Sequence, residues 1–244
     1  MAGHSKWANI KHKKAAQDAK RGQIFTKLAR QLTVAAKEGG ADPESNFKLR
    51  LAVDNARAVN MPNDNIERAI GKGIGGLDGD NYEEIIYEGY GPYGVAILIE
   101  VLTDNRNRTV SELRHGFSKN GGNLGESGCV AWMFEKKGLL VIDKDTVTDE
   151  DEFMLTALEA GAEDIESDED VFKVLTDQLE FATVRQNLAE AGFSFLGAEV
   201  SMIPENSITV SSQESTGLER LIDALEELDD VQEVYSNYDV QPGQ

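Results

Sequence analysis

Apolar residues recur at helical spacing as far as Ile70, but from Tyr82 onward they fall into short strand-length runs separated by helices, with glycine-rich residues 71–76 between the two regimes. A chain that changes period in this way is neither one bundle nor one sheet; it joins a helical segment to α/β units. In the first regime Ile24, Leu28, Leu32 and Ala35 share a helix face, and Gly39-Gly40 ends the run. Asp42-Pro43 is expected to restart a second helix, with Asp as N-cap and Pro in the first turn, and Phe47, Leu51 and Val59 supply its apolar side. A short third helix is expected after Pro62, capped by Asn63 or Asp64 and carrying Ile66, Ala69 and Ile70; residues 71–76 then read as a linker.

In the second regime, residues 82–87 and 94–102 read as strands joined through Gly89-Tyr90-Gly91-Pro92-Tyr93. A helix is expected from a capping box of Thr109 and Glu112, stopping at Gly121-Gly122. Strand 139–142, a helix from Thr148 to Gly161, a hairpin of Ile165 and 171–175, helix 181–191 and strand 193–202 then give the β-α-β-β-α-β order of a ferredoxin-like unit. The tail adds strand 207–210, helix 218–228 and strand 231–237, which lack neighbours of their own and are expected to pair back with residues 82–130. The expected fold class is α+β and multi-domain: an N-terminal helical bundle followed by two α/β (ferredoxin-like) domains, one inserted in the other. The expected divisions are 1–76 for a basic arm and bundle, 77–131 with 206–244 for a discontinuous α/β domain, and 132–205 for the insert.

Charge is distributed as unevenly as period. The net charge of −20 argues against nucleic acid, yet residues 1–37 carry nine Lys/Arg against one acid, Asp18. Residues 1–76 hold fourteen basic and seven acidic side chains, and the remainder ten basic and thirty-seven acidic. A one-sign arm on an oppositely charged body is the pattern of a phosphate-binding segment carried by something else. Lys6, Trp7, Lys11, His12, Lys13, Lys14, Lys20 and Arg21 combine dense positive charge with one indole able to stack on an unpaired base. Lys27, Arg30 and Lys37 continue that charge along one flank of the first helix. Arg106, Arg108, Arg114 and Lys119 form a second basic group, equally readable as extra contacts or as ion pairs with local carboxylates.

Other chemistries find little support. Gly71/Gly73/Gly76 follows a helix and Gly89/Gly91/Gly94 sits between strands, so neither is the strand-to-helix turn a dinucleotide needs. His4, His12 and His115 lack metal-ligand spacing, the lone Cys129 points to no disulfide framework, and no nucleophile or P-loop motif occurs. No enzyme activity, cofactor or small-molecule substrate is expected. With lysines from Lys6 onward and no long apolar run, neither a signal peptide nor a membrane span is expected, and the expected location is cytoplasmic.

Several long motifs agree with one family. Met1-Ala2-Gly3-His4-Ser5-Lys6-Trp7-Ala8-Asn9-Ile10-Lys11-His12-Lys13-Lys14, Asn60-Met61-Pro62-Asn63-Asp64-Asn65-Ile66, Tyr87-Glu88-Gly89-Tyr90-Gly91-Pro92, Thr103-Asp104-Asn105-Arg106-Asn107-Arg108-Thr109 and Lys119-Asn120-Gly121-Gly122-Asn123 occur in order. Together they resemble the YebC/PmpR family. The resemblance implies a helical N-terminal domain and two α/β domains around a cleft. It also implies two roles: bacterial members are described as probable DNA-binding transcriptional regulators. Mitochondrial relatives are described as translational activators of cytochrome c oxidase subunit I, and some bacterial members are linked to ribosomes stalled on proline-rich sequence. The charge split favours ribosomal RNA or the ribosome as partner, with duplex DNA as the alternative, because an acidic body is repelled by a long duplex. A protein–protein adaptor using the acidic part alone is a third, weaker reading.

Overall fold

The computed structural model describes residues 17–75, 82–168 and 170–241, without the side chains of residues 17–21. The chain divides into two compact units, one holding the described residues up to Ser127 together with Thr216–Val234, the other holding Gly128–Ser215 and continuing from Tyr235.

The first unit opens with three helices, α1 (Gln17–Gly39), α2 (Phe47–Ala58) and α3 (Asn63–Ile74). Leu28, Leu32, Ala35 and Ala36 of α1 bury against Leu49, Ala52, Val53 and Ala56 of α2 and Ile66 and Ala69 of α3. Helix α2 starts at Phe47, later than the Asp42-Pro43 signal suggests. Asp42 instead folds a turn, accepting from the Glu44 amide at 3.1 Å, and Asn46 is the N-cap, accepting from the Leu49 amide at 3.0 Å. The Asn46 amide group also donates to the carbonyls of Ala35 (2.7 Å) and Gly40 (2.8 Å), tying the start of α2 to the end of α1. Asn does both because its short side chain carries a carbonyl acceptor and two N–H donors.

Of the residues read as a linker, 71–74 form the last turn of α3 and Gly75 is its C-cap. A Cβ on Gly73 would stand 2.3 Å from the Thr33 carbonyl oxygen and 2.9 Å from the Ala36 Cβ. Glycine there lets α3 lie directly on α1, and the Thr33 hydroxyl bridges them by donating to the Ala69 carbonyl at 3.0 Å. Gly73→Ala is expected to cost about 1–3 kcal/mol by overpacking, read as a lower urea midpoint; an unchanged midpoint would show that the two helices separate freely.

The rest of this unit is a sheet in the order β3-β1-β2-β9, built from β1 (Glu83–Tyr90), β2 (Ala96–Thr103), β3 (Asn123–Leu124) and β9 (Val231–Ser236), with β1 antiparallel to β2 and β3. Helix α4 (Arg106–Lys119) follows β2, and α7 (Ser212–Glu226) precedes β9. Leu113, Phe117, Leu218, Leu221 and Leu225 are fully buried. Gly89 belongs to this packing: a Cβ there would meet the Phe117 ring at 2.6 Å. Helix α4 starts ahead of the expected Thr109-Glu112 box, because Asn105 is the N-cap, accepting from the Arg108 amide at 3.1 Å. Helix α7 starts ahead of the expected 218, under a capping box in which Ser211 and Glu214 bond reciprocally.

The second unit holds the antiparallel sheet β5-β6-β4-β7, from β4 (Phe134–Asp143), β5 (Asp164–Ser167), β6 (Val171–Asp177) and β7 (Gly197–Pro204). Helices α5 (Glu150–Ala160) and α6 (Phe181–Glu190) complete the β-α-β-β-α-β order expected from the sequence. Phe153 of α5 stacks on Phe172 of β6, ring centroids 4.7 Å apart. Helix α5 ends at Gly161 with φ 108°, a left-handed cap that suits glycine. The tail departs from expectation in one respect. Strand β9 joins β2, but β8 (Ile208–Val210) pairs in parallel with β10 (Tyr238–Val240) as a separate two-stranded sheet rather than with residues 82–130. Among the described residues no helix is long and apolar enough to cross a membrane.

Candidate nucleic-acid interface

Lys6, Trp7, Lys11, His12, Lys13 and Lys14 lie outside the described residues, as do the side chains of Lys20 and Arg21. The basic stretch continues within the described residues along α1 and onto α3.

One flank of α1 is committed within the chain. Gln23 Nε2 donates to the carbonyl of Glu227, Lys27 Nζ to that of Glu226 at 2.6 Å, and Arg30 Nη1 to that of Asp229 at 2.5 Å. These carbonyls stand at the C-terminal end of α7 and in the turn after it. There a helix leaves acceptors unpaired, and the negative end of its dipole favours cations. Lys27 and Arg30, the phosphate ligands expected from the helical wheel, are thus engaged at the end of α7. Lys37 is exposed in the last turn of α1.

Asp230 gathers the same region into a knot. Its carboxylate is 2 % exposed and accepts from Arg30 Nη1 (2.9 Å), Arg108 Nη2 (2.7 Å), Thr103 Oγ1 (3.0 Å) and Thr109 Oγ1 (2.8 Å). Its backbone carbonyl accepts from the Leu102 amide at 2.8 Å. Burial pushes the Asp230 carboxyl up, but the hydrogen bonds from Arg108, Thr109 and Thr103 outweigh it and hold the group below the ordinary carboxylate range. The same bond to Asp230, with a second to Asp104 at 2.7 Å, holds the Arg108 guanidinium further into its charged form. Of the second basic group, then, Arg108 is structural and Arg106 pairs with Glu83. Arg114 and Lys119 stand exposed on α4, with no ion pair to a described residue. Asp230 gives no signal in the sequence, where it is one carboxylate among 44 acidic residues.

The adjoining face of α1, which Arg30 borders, lines a groove of about 370 Å³ shared with α3 and Tyr82. Phe25 and Ala29 of α1 supply apolar lining beside the polar Thr26, Arg30 and Thr33, and α3 adds the polar Asn65, Arg68 and Lys72. The last three fall at i, i+3 and i+7, which places them on one face of the helix. Arg68 and Lys72 are exposed, and neither bonds to a described residue. The Arg30 guanidinium, fixed by Asp230 and the Asp229 carbonyl, lies over the Tyr82 ring at 5.5 Å from its centroid. The spacing of Asn65, Arg68 and Lys72 is the one sequence signal for this groove, and Asp64 and Glu67 in the same helix obscure it. Among the described residues no group of His, Cys, Asp or Glu is placed to hold a metal ion.

The arrangement matches known proteins along its length. Residues 5–76 match the TACO1/YebC protein N-terminal domain, and residues 82–238 match the TACO1/YebC second and third domain. A probable transcriptional regulatory protein of Halothermothrix orenii is 57% identical over 242 residues, covering 98% of this chain and 96% of the relative. One of Geobacter sulfurreducens is 56% identical over 240 residues, with the same coverage. The crystal structure of a conserved hypothetical protein from Aquifex aeolicus superposes with a TM-score of 0.88 at 46% identity, covering 98% of each chain. With both parts matched and relatives this similar over nearly their whole length, the chain belongs to the TACO1/YebC family.

Proposed function

We propose that this chain is a non-catalytic, cytoplasmic nucleic-acid-binding factor that grips structured RNA on the ribosome and acts when ribosomes stall. Contact is made by the basic arm (Lys6, Trp7, Lys11, His12, Lys13, Lys14, Lys20, Arg21) and extends to the exposed cations of α3. The observation that carries this reading is the charge split, nine basic residues against one acid in residues 1–37 and a net negative remainder. Such an arm reaches into RNA while the acidic body meets basic ribosomal proteins. In this reading the division into 1–76, 77–131 with 206–244, and 132–205 separates the RNA grip from the acidic domains.

The second reading is a sequence-specific DNA-binding transcriptional regulator, favoured by the names of the relatives. Base readout by a helix requires a free polar face in the major groove. On α1, Gln23, Lys27 and Arg30 are instead bonded to the end of α7, which weighs toward RNA. Ultraviolet crosslinking in cells, followed by sequencing of the bound RNA and DNA, tests the choice. Reads concentrated in ribosomal RNA are expected; reads concentrated at a short duplex sequence would overturn the ribosomal reading.

A further inference from the structure

We propose that the groove between α1 and α3 takes one unpaired nucleotide, its base against Phe25, Ala29 and the Tyr82 ring and its phosphate between Arg68 and Lys72. This rests on the nucleic-acid reading above and names what that surface holds. The volume of about 370 Å³ falls at the small end of the ~300–1,000 Å³ typical of ligand sites, room for one nucleotide and too little for a duplex. The lining offers both kinds of group such a ligand requires, the apolar and aromatic surfaces of Phe25, Ala29 and Tyr82 together with the amide of Asn65 and the cations Arg68 and Lys72. Arg68 and Lys72 stand four positions apart on one helix face, exposed and bonded to no described residue, a spacing that lets both reach one anion. The Asn65 side-chain amide is likewise without a bonded partner among the described residues and can read a base edge. Arg30 acts as a positioning residue: Asp230 holds it, and it holds the Tyr82 ring. A paired base would first have to leave its stack, so the groove selects single-stranded over duplex nucleic acid.

The test is fluorescence anisotropy with the full chain, using an unstructured oligouridine RNA, the matching single-stranded DNA and a duplex of equal length. Arg68→Ala/Lys72→Ala, on exposed positions, is expected to weaken single-strand binding by tens of fold and flatten the salt slope by about 1.4, some 0.7 for each lost phosphate contact. Tyr82→Ala is expected to weaken it roughly 5- to 150-fold, as loss of one stacked base does, while Tyr82→Phe retains it. Duplex binding should change far less, and circular dichroism and melting should match wild type for the double variant. Wild-type binding with both variants unaffected overturns the groove assignment and leaves the nucleic-acid reading intact. Equal losses on duplex and single strand overturn the unpaired-nucleotide claim, and no wild-type binding to any of the probes overturns the nucleic-acid reading itself.

Discussion

Asp230→Ala is expected to remove about 1–3 kcal/mol of stability, because it takes away the shared buried acceptor of Arg30, Arg108 and two threonine hydroxyls, although Arg108 keeps Asp104 and Arg30 keeps the Asp229 carbonyl. The measurement is urea unfolding at neutral pH, followed by tryptophan fluorescence and circular dichroism. A loss under about 1 kcal/mol, the worth of one ordinary hydrogen bond, would show that the knot is decorative. Asp230→Asn keeps the shape and the acceptor for Thr103 and Thr109 but gives up the charge, and should fall between. The pH dependence has a definite sign. A carboxyl held below its usual value in the folded state contributes stability that is present above its unfolded pKa of ~3.9, and that is lost as pH falls through the folded value. The gap between wild type and Asp230→Asn should therefore be widest at neutral pH and narrow below about pH 4.

Replacing Lys11, Lys13, Lys14, Lys20 and Arg21 by alanine is expected to weaken nucleic-acid binding by at least about a hundredfold near physiological salt. Contacts to about five to eight phosphates give log K against log salt a slope of roughly −4 to −7 on duplex and shallower on single strands, and deleting five cations removes most of it. The titration over a salt series checks both quantities. These residues precede the helical core formed by Leu28, Leu32, Leu49 and Ile66, so melting should be unaffected. Intact binding in this variant would move the function to the acidic part of the chain and favour an adaptor.

The large elements are legible in the sequence because they rest on repeated signals. The α1 stripe of Leu28, Leu32 and Ala35 is buried as its spacing predicts, and the β-α-β-β-α-β order of residues 134–204 follows from alternating periods. Element starts are less legible. Asn46 outcompetes Asp42 as a cap because its amide also satisfies two carbonyls at the end of α1, a tertiary gain no local motif displays. Thr109 resembles a cap in sequence but sits inside α4, where its hydroxyl serves Asp230, a residue 121 positions away. Three-residue strands such as β8 and β10 hold too few residues to show alternation, so their mutual pairing leaves no pattern in the sequence. The same limit governs the candidate site. Lys27 and Arg30 look on a helical wheel like free cations, and only long-range packing brings the α7 carbonyls to them. Arg68 and Lys72 are visible as cations in sequence, but the groove that gives them meaning exists only once α3 lies on α1.

The choice of ribosome over duplex DNA is tested most directly by titrating the full chain against purified ribosomes and against promoter-length duplex DNA, side by side at near-physiological salt. Tight ribosome binding that the five-alanine variant loses is expected, with duplex binding weak and strongly salt-sensitive. Tight, sequence-dependent duplex binding with no affinity for ribosomes would contradict the ribosomal function and establish the transcriptional one.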